Sequence, residues 1–306
     1  MRRLALVLVV LGTGCRGEAV EPVVADSGAF DSATSDAMLE DSSLIDSGAP
    51  DADSSATDSS ATDAALVPFE AAGNDVECGA TRGARMVYVP VAPTFCIDAH
   101  EVSNTEYRAF LSATDKPVEK DFCDWNAGAY GSLTGTPADS MPVAFVDYCD
   151  AYAYCAWAGK RLCGGRDKEI GLSDSYGESQ WTVACVNGPA GTPWSVGNSA
   201  PAAGVCRVDM SSAGAAAVGS LASCKGTVSP YDRVFDLTGN VEEWDNSGCK
   251  FRGAGTTADD RLTIQCGRRG GSYAHTTDNS RCVTFGSAPI DNKRANLGFR
   301  CCKGPL

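Results

Sequence analysis

The stretch that decides the fold is Arg268-Arg269-Gly270-Gly271-Ser272-Tyr273, near the C-terminus of a chain of 306 residues. An acidic block, Asp236–Trp244, precedes it, and a third block, Asn296–Cys302, follows it. Glycines allow backbone bends that other residues resist. The three blocks together therefore predict an acidic turn, kinked at glycine, followed by two strands that close the domain.

Local patterns upstream of these blocks predict short strands and short helices. Met86–Val91 is predicted to be a strand, with Phe95–Asp98 as its hairpin partner. Ser103 followed by Glu106 is a capping box that starts a helix. A second helix is expected near residues 147–158, ended by a glycine. The fold class is therefore α+β, with few helices and much ordered loop.

The N-terminus has the pattern of an export signal. Two arginines precede the apolar run Leu4–Leu11, and small residues then lead to Cys15. This order resembles the lipobox of bacterial lipoproteins, in which the cysteine becomes lipid-bearing. Arg16, rather than an aspartate, after Cys15 favours the outer membrane. The alternative is an ordinary signal peptide whose cleavage site precedes a cysteine.

The sequence divides into a signal peptide (1–14), a tether (15–77) and one folded domain (78–306). Residues 18–77 hold fifteen acidic residues and no Lys or Arg, a composition that predicts disorder. Such a coil of sixty residues spans roughly 40–45 Å. Residues 78–306 carry 24 acidic residues against 22 Lys and Arg, so the acidity of the chain, with its net charge of −14, comes from the tether. No nucleic-acid surface is therefore expected. The tether could instead bind cations or a basic partner.

The cysteines indicate a disulfide framework. The chain has fifteen, and lipidation of Cys15 would leave an even fourteen. None forms a Cys-x-x-Cys pair and only two histidines are present, which argues against a zinc cluster. An exported chain of this kind is held by disulfides. Cys206–Cys224 and Cys249–Cys266 would each clamp a long loop.

Five blocks resemble the formylglycine-generating enzyme, or sulfatase-modifying factor, family in the same order. They are Phe95–Tyr107, Ala156–Leu162, Asp236–Trp244, Arg269–Tyr273 and Asn296–Cys301. The resemblance covers nearly all of residues 78–306. It implies a C-type-lectin-like fold with paired terminal strands and a loop-rich half supported by calcium.

The resemblance also implies a structural calcium site in the acidic turn. The side chains of Asp236 and Glu243 and the carbonyls of Gly239 and Val241 match its ligand positions. Carboxylates and carbonyls are suitable ligands for this hard cation. The alternative is a turn whose carboxylates only cap and solvate.

The family's oxidase activity uses two cysteines that bind copper and react with the substrate thiol. By the resemblance these positions are His275 and Ser280, and Ser272 matches a pocket serine. An imidazole and a hydroxyl cannot replace a pair of thiolates toward Cu(I), so copper is not expected. Glu242 also replaces a family tryptophan. The nearest thiol, Cys282, is expected to be a structural disulfide.

The family resemblance further implies the disulfides Cys155–Cys301 and Cys185–Cys282. Cys301 and Cys302 are neighbours on a strand, face opposite sides and need different partners. The remaining cysteines would form Cys78–Cys96, Cys123–Cys149 and Cys163–Cys302.

Two functional hypotheses follow. The first is a pseudoenzyme, a lipid-anchored surface module that binds an unknown protein or glycan. The second is a protein-modifying oxidoreductase of the formylglycine-generating type that acts on exported sulfatases through other residues. A pair formed by His100 and His275 could in principle bind a redox metal, but no motif brings the two together.

Overall fold

The structure is a computed structural model, and the description is confined to residues 73–117, 121–126, 128, 130–131, 133, 137–165, 179–210, 214–251 and 264–304. All of them lie in the compact unit Thr62–Leu306. The signal peptide, Cys15 and nearly all of the tether lie outside this range. Within it, no helix is long and apolar enough to cross a membrane.

The first sheet has four antiparallel strands in the order β1-β2-β8-β3. Their bounds are Met86–Val89 (β1), Phe95–Asp98 (β2), Arg161–Leu162 (β3) and Cys301–Lys303 (β8). The β1–β2 hairpin predicted from the sequence is present. The C-terminal strand β8 lies between β2 and β3, so the end of the chain completes this sheet.

The second sheet has the order β6-β5-β4-β7, in which only the β4–β7 pair is parallel. Its strands are Glu242–Phe251 (β4), Ile264–Arg269 (β5), Gly286–Pro289 (β6) and Leu297–Phe299 (β7). Arg300 alone separates β7 from β8. The chain therefore passes from one sheet to the other at this residue.

The described residues contain three α-helices, α1 (Asn104–Ser112), α2 (Tyr148–Trp157) and α3 (Gln180–Cys185). The predicted capping box of Ser103 and Glu106 starts α1. A second capping box, formed by Asp147 and its neighbour three residues on, starts α2. Helix α2 buries residues around most of its circumference, so its buried surface is wider than one apolar face.

Strand β8 divides two hydrophobic clusters. Cys301 lies with the aromatic side chains of α1 and α2, whereas Cys302 lies with β1, β2 and α3. The opposite orientation of adjacent strand residues thus lets one short strand contact both clusters. Between them, Lys160 pairs with Asp98 at 2.6 Å, with both side chains fully buried.

Seven disulfides connect the loop-rich parts of the domain, and they are the pairs named from the sequence. They are Cys78–Cys96, Cys123–Cys149, Cys155–Cys301, Cys163–Cys302, Cys185–Cys282, Cys206–Cys224 and Cys249–Cys266. Cys155–Cys301 joins α2 to β8 and Cys249–Cys266 joins β4 to β5, whereas Cys206–Cys224 closes a loop outside both sheets.

Candidate functional site

The acidic turn 236–241 lies between the two sheets, immediately before β4. Asp236 and Asn240 both have left-handed backbones, with φ of 61°. Gly239 also has a positive φ, of 85°, and a Cβ atom there would lie 2.1 Å from the Arg207 carbonyl oxygen. The glycine is therefore required both by the left-handed conformation and by the close approach of the neighbouring chain.

Three carboxylates are buried beside this turn, and one guanidinium faces them. Glu101, Asp236 and Glu243 are each at most 1% exposed. Arg300 donates from Nε to Glu243 Oε2 at 2.7 Å and from Nη2 to Oε1 at 2.8 Å. Three carboxylates thus share one arginine, so this buried region has an excess of acidic groups.

Burial is the main cause of unusual pKa values in this cluster. It raises the pKa of Glu101 well above the ordinary value, and the charges of Asp236 and Glu243 raise it further. Burial likewise raises the pKa of Asp236 to about 6, opposed by a hydrogen bond from Gly219 N and by Arg300. The pKa of Glu243 is also raised by burial, although Arg300 opposes the shift. Ionisation of all three buried carboxylates costs free energy unless a further positive charge lies beside them.

Asp236 has an oxygen that suits a cation. Its Oδ2 accepts a hydrogen bond from Gly219 N at 2.6 Å, while its buried Oδ1 has no hydrogen-bond partner. A buried carboxylate oxygen without a donor is unusual. Asp236 therefore fits the predicted calcium site.

Glu243 fits the site less well. Oε2 accepts from Trp181 Nε1 at 2.9 Å as well as from Arg300, and Oε1 accepts from Arg300. Since a carboxylate has about four acceptor positions, one position on Oε1 is left for a cation. The described residues contain no group of three His, Cys, Asp or Glu side chains able to hold a metal. A calcium ion would therefore need carbonyl ligands, such as those of Gly239 and Val241.

Ser272 is the centre of a second group of residues. Its Oγ lies 2.9 Å from His275 Nδ1, 2.9 Å from Asn296 Nδ2 and 3.2 Å from Ala274 N. Asn296 and Ala274 N are donors, and they occupy both lone pairs of the hydroxyl. The Ser272 hydrogen therefore points to His275 Nδ1, which places the ring proton on Nε2.

This proton arrangement limits what the group can do chemically. Ser272 is fully buried and both of its lone pairs are engaged, so it is not placed to attack a substrate. His275 is partly exposed and presents an N–H donor rather than a lone pair. The group is suited to donating a hydrogen bond to a ligand.

Ser280, the second position matched to a family cysteine, is buried and its Oγ has no hydrogen-bond partner. A Cβ atom on Gly271 would lie 2.3 Å from this oxygen, so the glycine makes room for it. Cys282 is bonded to Cys185 and has no free thiol.

Glu242 forms an ion pair with Arg268 on the neighbouring strand. Arg268 Nε also donates to the Ser287 carbonyl at 3.2 Å. His100 lies elsewhere, with Nδ1 2.7 Å from the Glu101 carbonyl oxygen and close enough to Asp236 to lower its pKa. The two histidines thus belong to different groups, one beside the acidic cluster and one on Ser272.

The sequence patterns did not single out Glu101 or Asn240, although both hold the turn in place. Asn240 donates from Nδ2 to Glu101 Oε2 at 2.6 Å, and Val241 N donates to Glu101 Oε1 at 3.1 Å. The Gly-Asn pair within the turn was an available signal, because asparagine tolerates the left-handed conformation. Glu101 had no such local signal.

Residues 54–305 match the family described as Sulfatase-modifying factor enzyme 1-like domain. The chain belongs to this family, and its α+β, C-type-lectin-like fold is the one expected from the resemblance.

Named relatives include both active and inactive proteins. The chain is 29% identical to the Inactive C-alpha-formylglycine-generating enzyme 2 of Bos taurus, over 61% of this chain and 58% of the relative. It is 28% identical to the Formylglycine-generating enzyme of Streptomyces coelicolor, over 57% and 55%. The mouse Formylglycine-generating enzyme is 24% identical, over 68% and 65%. The chain thus spans between 55% and 65% of the length of these relatives.

Solved structures of similar shape include PvdO from Pseudomonas aeruginosa, with 18% identity and a TM-score of 0.45 over 78% of this chain and all of that one. CarF is similar over 70% of this chain and 87% of its own, with 15% identity and a TM-score of 0.42.

Proposed function

We propose that this protein is a non-catalytic member of its family, exported and lipid-anchored through Cys15, that binds a protein or glycan at the surface around His275. The observation that carries the proposal is the state of the cysteines. All fourteen cysteines from Cys78 to Cys302 are paired in disulfides. The positions matched to the reactive pair are His275 and Ser280, so the domain has no thiol with which to bind copper or exchange with a substrate cysteine.

The surface around His275 has groups suited to ligand binding. His275 offers an N–H donor, and Tyr273, two residues earlier, is partly exposed. Asn296 is also partly exposed and binds the same Ser272 hydroxyl as His275. Tyrosine and asparagine combine contact area with adaptable hydrogen bonds. The similarity to an inactive relative in Bos taurus supports a role without the family's oxidation.

Thiol titration of the unfolded, unreduced domain tests the absence of reactive cysteine. We expect no free thiol and no uptake of Cu(I) by the folded domain. The Cys282→Ser variant is a positive control, because it should release one titratable thiol from Cys185. A free thiol pair in the parent protein, together with stoichiometric copper, would overturn the proposal.

We also propose that a calcium ion supports the 236–241 turn. Calcium should raise the melting temperature, and at a concentration 100-fold above Kd it should add about 2.7 kcal/mol to the free energy of unfolding. Asp236→Asn should remove most of this effect, while asparagine tolerates the left-handed backbone at this position. Asp115→Asn, at a surface carboxylate, is the control. If chelation leaves the melting temperature of the parent unchanged, the calcium site is wrong.

The anchor is tested by fractionation. Replacing Cys15 by serine should move the protein from the membrane fraction to the soluble fraction, because the lipid is attached through the cysteine thiol. Arg16→Ala, one residue on, should leave the protein with the membrane and serves as the control. Membrane association that survives loss of Cys15 would contradict lipid anchoring.

A further inference from the structure

Asn240 connects the acidic turn to the surface around His275. It is fully buried and makes hydrogen bonds to four other parts of the chain. Its N donates to the Arg207 carbonyl at 2.8 Å, and its carbonyl accepts from Tyr273 N at 2.9 Å. Its side chain binds Glu101 through Nδ2 at 2.6 Å, and Ala216 through both Oδ1 and Nδ2.

These bonds hold two flanking segments, which we call the upstream flank (204–210) and the downstream flank (214–219). The upstream flank is bound by the Asn240 backbone and, through Asp209 N, donates to the His275 carbonyl at 2.8 Å. The downstream flank is bound by Asn240 at Ala216, by Asp236 Oδ2 at Gly219 N and, outside the turn, by the Ser140 carbonyl at Val218 N. Neither flank contains an α-helix or a strand of either sheet. The turn therefore contributes to their placement, together with the Cys206–Cys224 disulfide.

The turn residues that would contact a cation directly adjoin this connecting residue. Gly239 and Val241, whose carbonyls are candidate ligands, flank Asn240 in sequence. Gly239 N also donates to the Gly270 carbonyl at 2.8 Å, which ties the turn to the strand end that leads to Ser272. A small change in the turn on binding a cation would be passed to both flanks and to the segment 270–275.

We propose that Asn240 is a positioning residue that transmits cation binding at the 236–241 turn to the surface around His275. It does so by holding the upstream flank against the His275 carbonyl and the downstream flank over Asp236. The inference rests on the proposed calcium site and adds that this site controls the proposed binding surface.

A matched control is available in Asn187. It is also buried, also has a left-handed backbone, with φ of 57°, and also joins loops through its side chain. Its Nδ2 donates to Thr192 and Ser195, and its Oδ1 accepts from Thr227 N at 2.7 Å. These partners are outside both flanks. Asn240→Gly and Asn187→Gly each remove a buried amide while allowing the left-handed conformation.

The test uses the imidazole NMR signals of the full chain with calcium alone as the probe. The chain has only two histidines, so both signals are readily assigned. His100 lies beside the acidic cluster and reports the cation directly, whereas His275 reports transmission. Amide exchange at Asp209, Ala216 and Gly219 is a second readout.

In the parent protein, calcium should shift both histidine signals. It should also slow hydrogen exchange at the three amides by about tenfold, the size expected when a hydrogen bond opens less often. Asn240→Gly keeps the backbone bonds to Arg207 and Tyr273 but loses the side-chain bonds to Glu101 and Ala216. It should therefore keep the calcium shift of His100, reduce that of His275 and lose the slowed exchange at Ala216. Asn187→Gly should keep all of them. If calcium shifts His100 and raises the melting temperature of the parent without moving His275, the coupling is wrong and the calcium site stands. If calcium changes nothing in the parent, both proposals fail. The parent alone therefore decides the outcome if a variant does not fold.

Discussion

Replacing Arg300 by methionine is expected to lower the free energy of unfolding by about 3–5 kcal/mol, the cost of leaving buried charge without its partner. The guanidinium is fully buried at the junction of β7 and β8. It binds both oxygens of Glu243 and also donates from Nη2 to the Phe235 carbonyl at 2.9 Å. Methionine would fill much of the volume and leave the three carboxylates without the guanidinium that they share.

The matched control is Arg233→Met. Arg233 also pairs with a carboxylate, that of Asp75, but the arginine side chain is 37% exposed. An ion pair in such a position contributes about 0–1 kcal/mol. Chemical denaturation of both variants provides the comparison. Equal losses for Arg300→Met and Arg233→Met would show that the buried cluster does not depend on Arg300.

Removing the disulfides Cys155–Cys301 and Cys163–Cys302 together should destabilise the domain by more than the sum of the two separate losses. The two crosslinks close nearly the same loop, with sequence separations of 146 and 139. While one remains, removal of the other opens only a short additional loop, at a cost of about 3 kcal/mol. Loss of both should cost about 7 kcal/mol, because the long loop is then released in the unfolded chain.

The measurement is the free energy of unfolding of the two double-alanine variants and of the quadruple variant, all without reductant. Removal of Cys206–Cys224 and Cys155–Cys301 is the additive control, because the first pair closes a separate local loop with a separation of 18. Simple additivity for Cys155–Cys301 and Cys163–Cys302 would mean that they do not share a loop in the unfolded state.

Much of the fold follows from local sequence patterns because the forces involved are local. The capping box of Ser103 and Glu106 needs only four consecutive residues. The β1–β2 hairpin needs only two short neighbouring runs of residues that favour strands. The adjacent cysteines at the end of the chain required separate partners on opposite faces, which is also a local geometric rule.

The parts that could not be predicted depend on contacts distant in sequence. Glu101 and Asn240 are 139 residues apart, and no periodicity relates them. The family resemblance implied Glu243 as a calcium ligand, but it did not indicate that Arg300 would bind both of its oxygens. The partner with which a carboxylate forms its ion pair depends on the three-dimensional arrangement of the charged groups around it.

Glu243 and His275 differ in how much of the fold depends on them. Glu243, Trp181 and Arg300 form a buried network that joins the two sheets, so their replacement would cost stability. His275 and Ser280 lie in a segment fixed by the Cys185–Cys282 disulfide and by the packing of Arg281 over Trp194 at 4.3 Å. Because that segment is held by neighbouring residues, the proposed absence of reactive thiols at these two positions is compatible with the fold.

The most direct test of the proposed non-catalytic role is incubation of the folded, copper-treated protein with a cysteine-containing sulfatase peptide under oxygen. Mass spectrometry then shows whether the cysteine side chain has become an aldehyde. The account predicts that the peptide mass stays unchanged, while a formylglycine-generating enzyme in a parallel reaction converts it. Conversion of the peptide by this protein, lost in a His275→Ala variant that keeps its fold, would contradict the account.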